Sequence, residues 1–353
     1  MSLLTFCRHT CFLLLFSGLS LNLSFAQKED NQGLPATLMF YNVENLFDVE
    51  NDSLVNDEEF LPEGLRRWTH NRMKEKFRRI SRVILNAGMW NPPVVVGLGE
   101  VENSRVLKYM LYDTGLANLG YEIVHYDSPD ERGIDVAFLF LSSRFVVSES
   151  YPVSLEAPAG LRPTRDILYV KGVIDKADTL HFFVNHWPSR YSGAAATQKY
   201  RLQAARKLRY LTDSLQRANT APHIVIMGDF NEDHSSRLFT DYVGVGGRDD
   251  KTPFYAPSLE LPPASGTLKY RQSWQVFDQI IVSRTFLEAD SKVQLAKKSL
   301  NILDFPFLLE RDEVYGGQKP FRTYLGMKYH GGYSDHLPVS IELNIAVPPG
   351  QDE

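Results

Sequence analysis

The chain has 353 residues, of which 43% are hydrophobic and 23% are charged, and its formal net charge is −5. This composition is typical of one large or two ordinary globular domains, and it excludes a wholly disordered polymer. The acidic balance also argues against strong nonspecific binding to duplex nucleic acid, because that binding depends on clustered lysine and arginine.

The first 26 residues predict a secretory signal peptide. Arg8 precedes the apolar stretch CFLLLFSGLSLNLSFA, which ends in small residues at Ser24 and Ala26, and cleavage is expected before Gln27. A membrane anchor is the alternative, but the unbroken apolar run is short for a membrane span. Both cysteines lie inside this segment, so the processed chain would contain no disulfide bond. We expect an exported protein, periplasmic or extracellular, with no transmembrane span after cleavage.

One folded domain is predicted at 37–345, with a short linker at 27–36 before it and a C-terminal tail at 346–353 after it. No internal repeat, low-complexity tract or change of composition divides residues 37–345. The domain boundaries therefore follow the first and last predicted strands.

The segment RRWTHNRMKEKFRRISR at 66–82 contains eight lysines or arginines and one glutamate. Apolar residues recur in and just after it at helical spacing, namely Met73, Phe77, Ile80 and Ile84, which predicts an amphipathic helix with a basic face. Either this face is simply solvated, or it is a rim that attracts anionic substrates. A second helix is predicted near 194–216.

Short β-like runs dominate the rest of the chain, and many are apolar almost throughout, as is typical of strands covered on both faces. They are TLMFY (37–41), VVVGL (94–98), YEIVHY (121–126), IDVAFLFL (134–141), ILYVKGVI (167–174), TLHFFV (179–184), HIVIM (223–227), VFDQIIV (276–282) and PVSIEL (338–343). Such a pattern favours layered α/β structure over a helix bundle. Gly- and Pro-containing loops at 243–267 and 304–320 are candidates for insertions on the substrate side.

Polar side chains follow four of these runs where each predicted strand ends. They are Asn42 and Glu44, Glu100 and Glu102, Asn185 and His186, and Asp229 and Asn231. Any one pair has an alternative interpretation as an ordinary turn. Four pairs together, with Asp335 and His336 before the last run, favour a shared site at strand ends.

The chemistry of this set points to a hard cation and a phosphate ester. Carboxylate and amide oxygens suit Mg²⁺, Mn²⁺ or Ca²⁺ better than zinc or copper. Imidazoles beside such a metal can donate to phosphate oxygens, and a free carboxylate can orient water, which describes phosphoester hydrolysis. The sequence contains no GxSxG elbow and no GxxxxGK[ST] loop.

Six segments occur in the order FYNVENLF, GLGEVEN, NHWPSR, MGDFNED, SWQVFDQIIVS and GGYSDHLPV. This series resembles the motifs of the endonuclease/exonuclease/phosphatase superfamily, with its DNase I-like fold, and the chain looks like a secreted bacterial-type member. The resemblance implies a four-layer α/β sandwich, in which two packed mixed β-sheets are flanked by helices. It also implies a catalytic domain that hydrolyses phosphoesters with Mg²⁺ or Mn²⁺, or with Ca²⁺.

The resemblance implies a role for each matching residue. The residues expected to line the metal site are Glu100, Glu44, Asn42 and Asp335. The residues expected to act in catalysis are Asp229 as base, Asn231 as its partner, His186 and His336 as phosphate donors, and Asp278 as the acid that orients His336.

Several points stay open at this level. Gln279 follows Asp278 where many relatives have histidine, which could alter substrate contacts. Glu102 is expected to be structural or to support Glu100, and Arg165 either reaches a phosphate or forms a surface ion pair. The substrate is a nucleic acid, a phospholipid headgroup or a small phosphate ester. The alternatives are therefore a phosphodiesterase or nuclease, a phosphomonoesterase, a sphingomyelinase-like enzyme, and a catalytically silent binding module on the same scaffold.

Overall fold

The computed structural model describes residues 33–88, 91–157, 162–190, 193–219, 221–296 and 300–347. The predicted signal peptide, most of the linker and most of the C-terminal tail lie outside the described residues. From Gly33 onward the chain forms one compact unit.

Twenty strands occur in the described part of the chain. In chain order they are β1 (Leu34–Leu46), β2 (Val95–Val101), β3 (Tyr121–His125), β4 (Asp135–Leu141), β5 (Phe145–Val153), β6 (Ile167–Ile174), β7 (Asp178–His186), β8 (His223–Asp229), β9 (Val245–Gly246), β10 (Phe254–Tyr255), β11 (Leu268–Tyr270), β12 (Ser273–Gln275), β13 (Asp278–Ser283), β14 (Val293–Leu295), β15 (Asn301–Ile302), β16 (Leu309–Arg311), β17 (Gln318–Pro320), β18 (Tyr324–Leu325), β19 (Lys328–Tyr329) and β20 (Val339–Ile345).

The helices of the described ranges are fewer than the strands. The α-helices are α1 (His70–Ala87), α2 (Ser104–Tyr112) and α3 (Ala194–Ala218). Short 3-10 turns occupy Glu58–Phe60, Pro257–Glu260, Arg284–Leu287 and Pro306–Leu308, and a π-helical turn occupies Leu238–Val243. None of the helices in these ranges combines the length and the apolar character needed to cross a membrane.

Two mixed sheets contain the long strands. The first sheet has the order β14-β20-β1-β2-β4-β3, with β15 also paired to β20, and the second has the order β5-β6-β7-β8-β13-β10-β9. Within them, β1 pairs with β2 in parallel and β7 pairs with β8 in parallel, while the other long neighbours are antiparallel. Each sheet therefore has a parallel pair at its centre, and these pairs bear four of the predicted motifs.

The packing of side chains defines four layers. On the outer face of the first sheet, Met39 and Tyr41 pack against Phe77 of α1 and Leu107 of α2. The opposite face of that sheet packs against the second sheet, and the second sheet is covered on its far side by α3. The predicted four-layer α/β sandwich is confirmed. Alternate residues of each strand point to opposite faces of its sheet, and both faces are buried.

The strand faces that meet between the sheets lead directly to the polar motifs. Phe40, Val184 and Met227 belong to this inner core, and the residues two positions farther along are Asn42, His186 and Asp229. Asp278, at the start of β13, lies two positions before Ile280, which also belongs to the inner core. Because alternate residues share one face, the same surfaces that are apolar inside become polar at this edge.

Glycine permits the close approach of strands next to this edge. A Cβ atom on Gly228 would lie 2.2 Å from the carbonyl oxygen of Asn185, in the neighbouring parallel strand. A Cβ atom on Gly97 would lie 2.7 Å from Met227 Sδ, across the interface between the sheets. Gly228 is therefore restricted to glycine by backbone atoms, whereas a side chain at position 97 would require Met227 to move.

The helix predicted at 66–82 begins later and ends later, as α1. Trp68 is fully buried and donates its indole N–H to the carbonyl oxygen of Phe47 at 3.0 Å. Arg67 has φ of +47°, which helical residues do not adopt. The helix accordingly starts at His70, and its predicted apolar stripe is buried as expected.

Other elements differ from the prediction for local reasons. β1 starts three residues before the predicted domain boundary, because Leu34, Pro35 and Ala36 pair with the end of β20. β5 was not predicted because it is largely exposed and lacks an apolar run. α2 is only nine residues long, and it is capped by Asn103, whose side chain accepts the N–H of Val106 at 2.8 Å.

Candidate active site

Asn42 joins the two sheets at the polar edge. It is fully buried, and its Nδ2 donates to Glu100 Oε1 at 3.3 Å and to Asp229 Oδ2 at 3.0 Å. Its Oδ1 accepts the backbone N–H of Glu44 at 3.0 Å. One amide side chain thus connects a carboxylate of the first sheet with a carboxylate of the second.

Asp229 lies between two imidazoles. Its Oδ2 is 3.5 Å from His186 Nε2 and 3.7 Å from His336 Nε2, and the residue is 1% exposed. Burial raises the pKa of Asp229 to about 6, although the His336 charge and the hydrogen bonds from Asn231 and Asn42 oppose the rise. A carboxyl group with this pKa can take up a proton near neutral pH.

His336 forms the closest contact in the site with Asp278. Its Nδ1 lies 2.7 Å from Asp278 Oδ2, and Asp278 is fully buried. Burial alone would lower the pKa of His336, but the charges of Asp278 and Asp229 outweigh it and raise the pKa well above its usual value. The ring is therefore an imidazolium at neutral pH.

His186 has the opposite protonation state. Burial, together with the positive charges of Arg165 and Arg132, lowers its pKa well below the usual value. Its Nε2 faces Asp229 and lies 4.0 Å from Glu100 Oε1, while its Nδ1 is buried without a partner. Two histidines on either side of one carboxyl group are thus held in different charge states, one neutral and one cationic.

Four residues of the site have left-handed backbone conformations without being glycine. The φ angles are +52° at Glu44, +58° at Asn45, +64° at Glu100 and +48° at Asn231. These conformations turn amides onto carboxylates, since Asn45 N–H donates to Glu100 Oε2 at 2.9 Å and Asn231 N–H donates to Asp229 Oδ1 at 2.8 Å. Such backbone strain is typical of functional sites, where the surrounding contacts hold it in place.

Glu44 and Asp335 share a guanidinium group. Arg322 Nη2 lies 3.1 Å from Glu44 Oε1 and 2.9 Å from Asp335 Oδ2. The other oxygen of Glu44 accepts the backbone N–H of Thr323 at 2.6 Å.

Lys76 is buried next to this group. Its Nζ lies 2.5 Å from both Thr323 Oγ1 and the carbonyl oxygen of Tyr333. Burial lowers the pKa of Lys76 to about 8, against the pull of the nearby acids.

The donor set suits a divalent cation. Glu100 has an 18% exposed side chain and, in the described part of the chain, no lysine or arginine within 4.0 Å. Glu44 and Asp335 already have Arg322 as a counter-charge, so Glu100 is the acid that needs one. Its oxygens are hard donors that suit Mg²⁺ or Mn²⁺. Glu100 would hold the ion.

The nine residues predicted for the site lie in one connected network. Contacts through Asn42, Asp229 and Arg322 link the members, which are Asn42, Glu44, Glu100, His186, Asp229, Asn231, Asp278, Asp335 and His336. Asn231 contributes its backbone N–H, because its side-chain amide donates to the carbonyl oxygen of Trp187 at 3.0 Å. The assignment of catalytic and metal-binding roles within the network remains a prediction.

Three other residues from the sequence analysis act as supports. Glu102 accepts the N–H of Asp48 at 2.6 Å, and burial raises its pKa to about 8. Arg165 is buried and donates to Asp130 Oδ2 at 2.9 Å and to the carbonyl oxygen of Trp187 at 2.8 Å, so the surface ion pair is wrong. Gln279 points to the other face of β13, where its Oε1 accepts the hydroxyl of Ser258 at 2.8 Å.

Arg322, Lys76 and Asn45 were missed by the sequence analysis. Lys76 lies between Met73 and Ile80 on the apolar stripe of α1, and this spacing was a usable signal that it is buried. Arg322 lies in a short irregular stretch between β17 and β18, and Asn45 acts through its backbone. Neither of these two has a signal in the sequence.

The sequence profile of the Endonuclease/Exonuclease/phosphatase family matches residues 37–345. The chain belongs to this family. It is a metal-dependent hydrolase that acts on ester bonds, as the motif order implied. A search among curated proteins gave no match.

Solved structures with the same fold have low sequence identity to this chain. A family member from Bacteroides thetaiotaomicron has a TM-score of 0.54 and 16% identity over 88% of this chain and 98% of that one. The mannosyl-6-phosphatase of Bacteroides thetaiotaomicron has a TM-score of 0.55 and 16% identity over 87% and 99% of the two chains. D. rerio TDP2, in complex with a single-strand DNA product, has a TM-score of 0.52 and 14% identity over 88% and 99%. At these identities the similarity shows the fold alone.

A second cluster of potential metal ligands lies where β3 ends and β4 begins. Donor atoms of His125, Asp127 and Asp135 are within 4.8 Å of one another, and His125 Nε2 is 3.6 Å from Asp135 Oδ2. Burial lowers the pKa of His125 to about 4 and raises that of Asp135 to about 8. Both groups are therefore uncharged at neutral pH, and the pair needs no cation for charge balance.

This group predicts a pH dependence of stability that Asp135→Asn should reduce. Because the folded-state pKa of Asp135 is raised to about 8, the folded chain binds more protons than the unfolded chain between about pH 4 and pH 8. Its contribution to the free energy of unfolding therefore falls as the pH rises through that window. Urea unfolding measures the decrease in the free energy of unfolding between pH 5 and pH 8. This decrease should be smaller in Asp135→Asn than in the wild type by more than about 1 kcal/mol. Equal losses in Asp135→Asn, the wild type and the exposed control Asp127→Asn would contradict this.

Replacing Arg322 by glutamine should strengthen divalent-metal binding. The change leaves Glu44 and Asp335 without their shared counter-charge, which raises the negative potential beside Glu100. Isothermal titration with Mn²⁺ should give a dissociation constant lower by about threefold or more, on the order of 1 kcal/mol. Glu100→Gln should weaken binding, and Arg206→Gln on α3 should leave it unchanged. An unchanged or weaker affinity in Arg322→Gln would contradict the charge balance described here.

Proposed function

We propose that this protein is an exported phosphodiesterase that attacks phosphorus with water at the Asn42–Asp229–His336 site. The observation that supports this best is the position of Asp229, buried between neutral His186 and cationic His336 and tied through Asn42 to Glu100. A base, two donors and a metal-ligand acid within one network are what phosphoester hydrolysis requires.

Asp229 is the base in this proposal. It accepts one proton from the attacking water as the new bond from water oxygen to phosphorus forms and the bond to the leaving group breaks. The N–H of Asn231 at 2.8 Å and the amide of Asn42 at 3.0 Å fix the orientation of its carboxylate. With a pKa of about 6, Asp229 is largely ionised at pH 7 and still basic enough to take the proton.

The two histidines act on the phosphate oxygens. His336, held as an imidazolium by Asp278, donates to the oxygen on which negative charge develops. His186 is neutral and has one N–H to donate. When bound, the divalent ion supplies Lewis-acid polarisation of a phosphate oxygen and charge neutralisation beside Glu100.

A diester of an anionic chain is the substrate class that we favour. The support is helix α1, whose buried Lys76 donates to the Tyr333 carbonyl oxygen next to the site and whose exposed basic face offers charge that a small monoester would not use. The structural neighbours include one named as a phosphatase and one bound to a DNA product. A phosphomonoester and the lipid diester sphingomyelin are therefore tested beside nucleic-acid diesters.

Export is part of the proposal. Its support is the sequence pattern of Arg8, the apolar run and the small residue Ala26, which precedes a chain without cysteine. The protein would then act in the periplasm or outside the cell.

Hydrolysis should require a divalent ion and the network residues. The full chain is expressed with Asp229→Asn and His336→Ala variants and assayed with Mg²⁺ or Mn²⁺ on bis(p-nitrophenyl) phosphate, p-nitrophenyl phosphate, plasmid DNA, RNA and sphingomyelin. We expect chelator-sensitive hydrolysis of a diester, and a fall in kcat of about a hundred- to thousandfold in each variant, because each loses a group acting in the transition state.

Matched controls come from the starts of β7 and β8, the strands that end at His186 and Asp229. Asp178 and His223 form a 3.5 Å pair at the starts of β7 and β8, so Asp178→Asn and His223→Ala repeat the two changes away from the site. Site variants as active as these controls would remove the assigned roles. Activity confined to monoesters would overturn the diester assignment while leaving the site in place.

Signal cleavage is tested by N-terminal sequencing of the protein recovered after expression in a bacterial host. The expected mature N-terminus is Gln27, because the small residues before it fit signal peptidase. An intact Met1, with the protein retained inside the cell, would contradict export.

A further inference from the structure

We propose that a groove between α1 and the segment 305–333 binds a second phosphate group of the substrate. This α1 groove has a volume of about 410 Å³. Its walls combine three guanidinium groups with three aromatic rings, from Arg78, Arg79, Arg82, Phe307, Phe321 and Tyr333. The inference rests on the proposed function, since it extends the same substrate beyond the reacting phosphate.

The charge of the α1 groove favours an anion. Glu75 is the one acid in its lining, and it pairs with Arg79 at 3.0 Å and more loosely with Arg78 at 3.6 Å. Arg82 has no carboxylate within 4.0 Å in the described part of the chain, and its Nη1 donates to the hydroxyl of Tyr333 at 3.1 Å. Three guanidinium groups against one carboxylate leave an excess of positive charge in a partly enclosed space.

Aromatic rings hold two of these guanidinium groups in place. The Arg82 guanidinium lies 4.1 Å from the ring centre of Phe307, and that of Arg79 lies 5.4 Å from Tyr333 and 5.8 Å from Phe321. Cation–π contacts of this kind restrict the long side chains before a ligand arrives, which reduces the entropy lost on binding.

Arg79 has an unsatisfied donor. Its Nη1 is buried and has no hydrogen-bond partner, although its Nε is paired with Glu75. A buried N–H without an acceptor is costly, so the Arg79 guanidinium gains from an acceptor that reaches it. Guanidinium groups match phosphate oxygens in planar, two-bond geometry.

Residues of the α1 groove are close along the chain to residues at the active site. Phe321 immediately precedes Arg322, which contacts Glu44 and Asp335. The backbone of Tyr333 accepts the Lys76 ammonium at 2.5 Å, one helical turn before Arg79 on α1. The groove and the active site are therefore linked through α1 and through the segment that contains both Phe321 and Arg322.

Phosphate, rather than a base or sugar, is the group that these contacts recognise. The rings of Phe307 and Tyr333 have guanidinium groups over them, so these faces are not free to stack with a nucleobase. Contacts to phosphate fix position but carry no sequence information. The ligand class is thus a compound with two or more phosphates, either an oligonucleotide backbone or a small polyphosphorylated molecule.

The test compares binding by the Arg79→Gln/Arg82→Gln double variant with binding by the wild type. The probes are fluorescent oligothymidylate and inositol hexakisphosphate, measured with chelator present so that no hydrolysis occurs. For at least one probe, we expect affinity about tenfold weaker at moderate salt, because two charged donors are lost. For the oligonucleotide, the slope of log K against log salt should fall in magnitude by about 1.4, or about 0.7 for each arginine.

A matched control is available on the opposite outer layer. Arg206→Gln/Lys207→Gln removes the same charge from α3, where Arg206 also lies over a ring, 5.2 Å from the centre of Tyr242. Affinity should be unchanged in this control. Equal weakening in both double variants, or no weakening for either probe in the α1 variant, would overturn the proposal.

Two further measurements separate the ways in which the test can fail. If the double variant does not fold, as judged by its melting curve, the single variant Arg82→Gln replaces it, since Arg82 is exposed and lies on the surface of α1. Hydrolysis of bis(p-nitrophenyl) phosphate by the wild type judges the proposed function independently. A wild type that binds the probes but hydrolyses no phosphoester would refute the function and leave the groove supported.

Discussion

Face-to-face packing of two sheets is the constraint on which the rest of this structure depends. The inner faces are apolar over most of their length, with Phe40 and Val184 among the residues that meet between the layers. Each face becomes polar at one edge, where the strands end and loops begin. Because the sheets are already close there, Asn42 can bond Asp229 across the interface at 3.0 Å. Core packing thus sets the distances of the site.

Burial at this edge produces different effects on similar groups. Asp229, His186 and His336 are all nearly inaccessible to water, yet their neighbours decide which of them is charged. His336 has Asp278 at 2.7 Å and stays protonated, whereas burial, together with the positive charges of Arg165 and Arg132, keeps His186 neutral. The pKa of Asp229, which lies between them, is raised, so its carboxyl group ionises at a higher pH than it would in water. Acid, base and donor functions arise from placement more than from residue type.

Much of this arrangement could be predicted from the sequence, because strand periodicity and motif order are local signals. Strand ends indicated most of the polar residues of the site, and the resemblance carried by the motif order implied Asp278 and the four layers that bring them together. The left-handed conformations of Glu44 and Glu100 could not be predicted, since nothing but tertiary contacts favours them in residues other than glycine. Arg322 was also beyond reach, because its partners lie 278 and 13 residues away along the chain. Ion pairs between residues that are far apart along the chain produce no periodic pattern in the sequence.

The segment 303–333, which ends before Asp335 and His336, borders the site without belonging to either sheet. It contains two short hairpins and one 3-10 turn, and it provides Arg322 to the acids and Phe307, Phe321 and Tyr333 to the surface beside α1. Changes of length or composition in this stretch would leave the inner core untouched. Selectivity can therefore diverge between members of this family by exchange of one peripheral module, while the reaction centre is inherited intact.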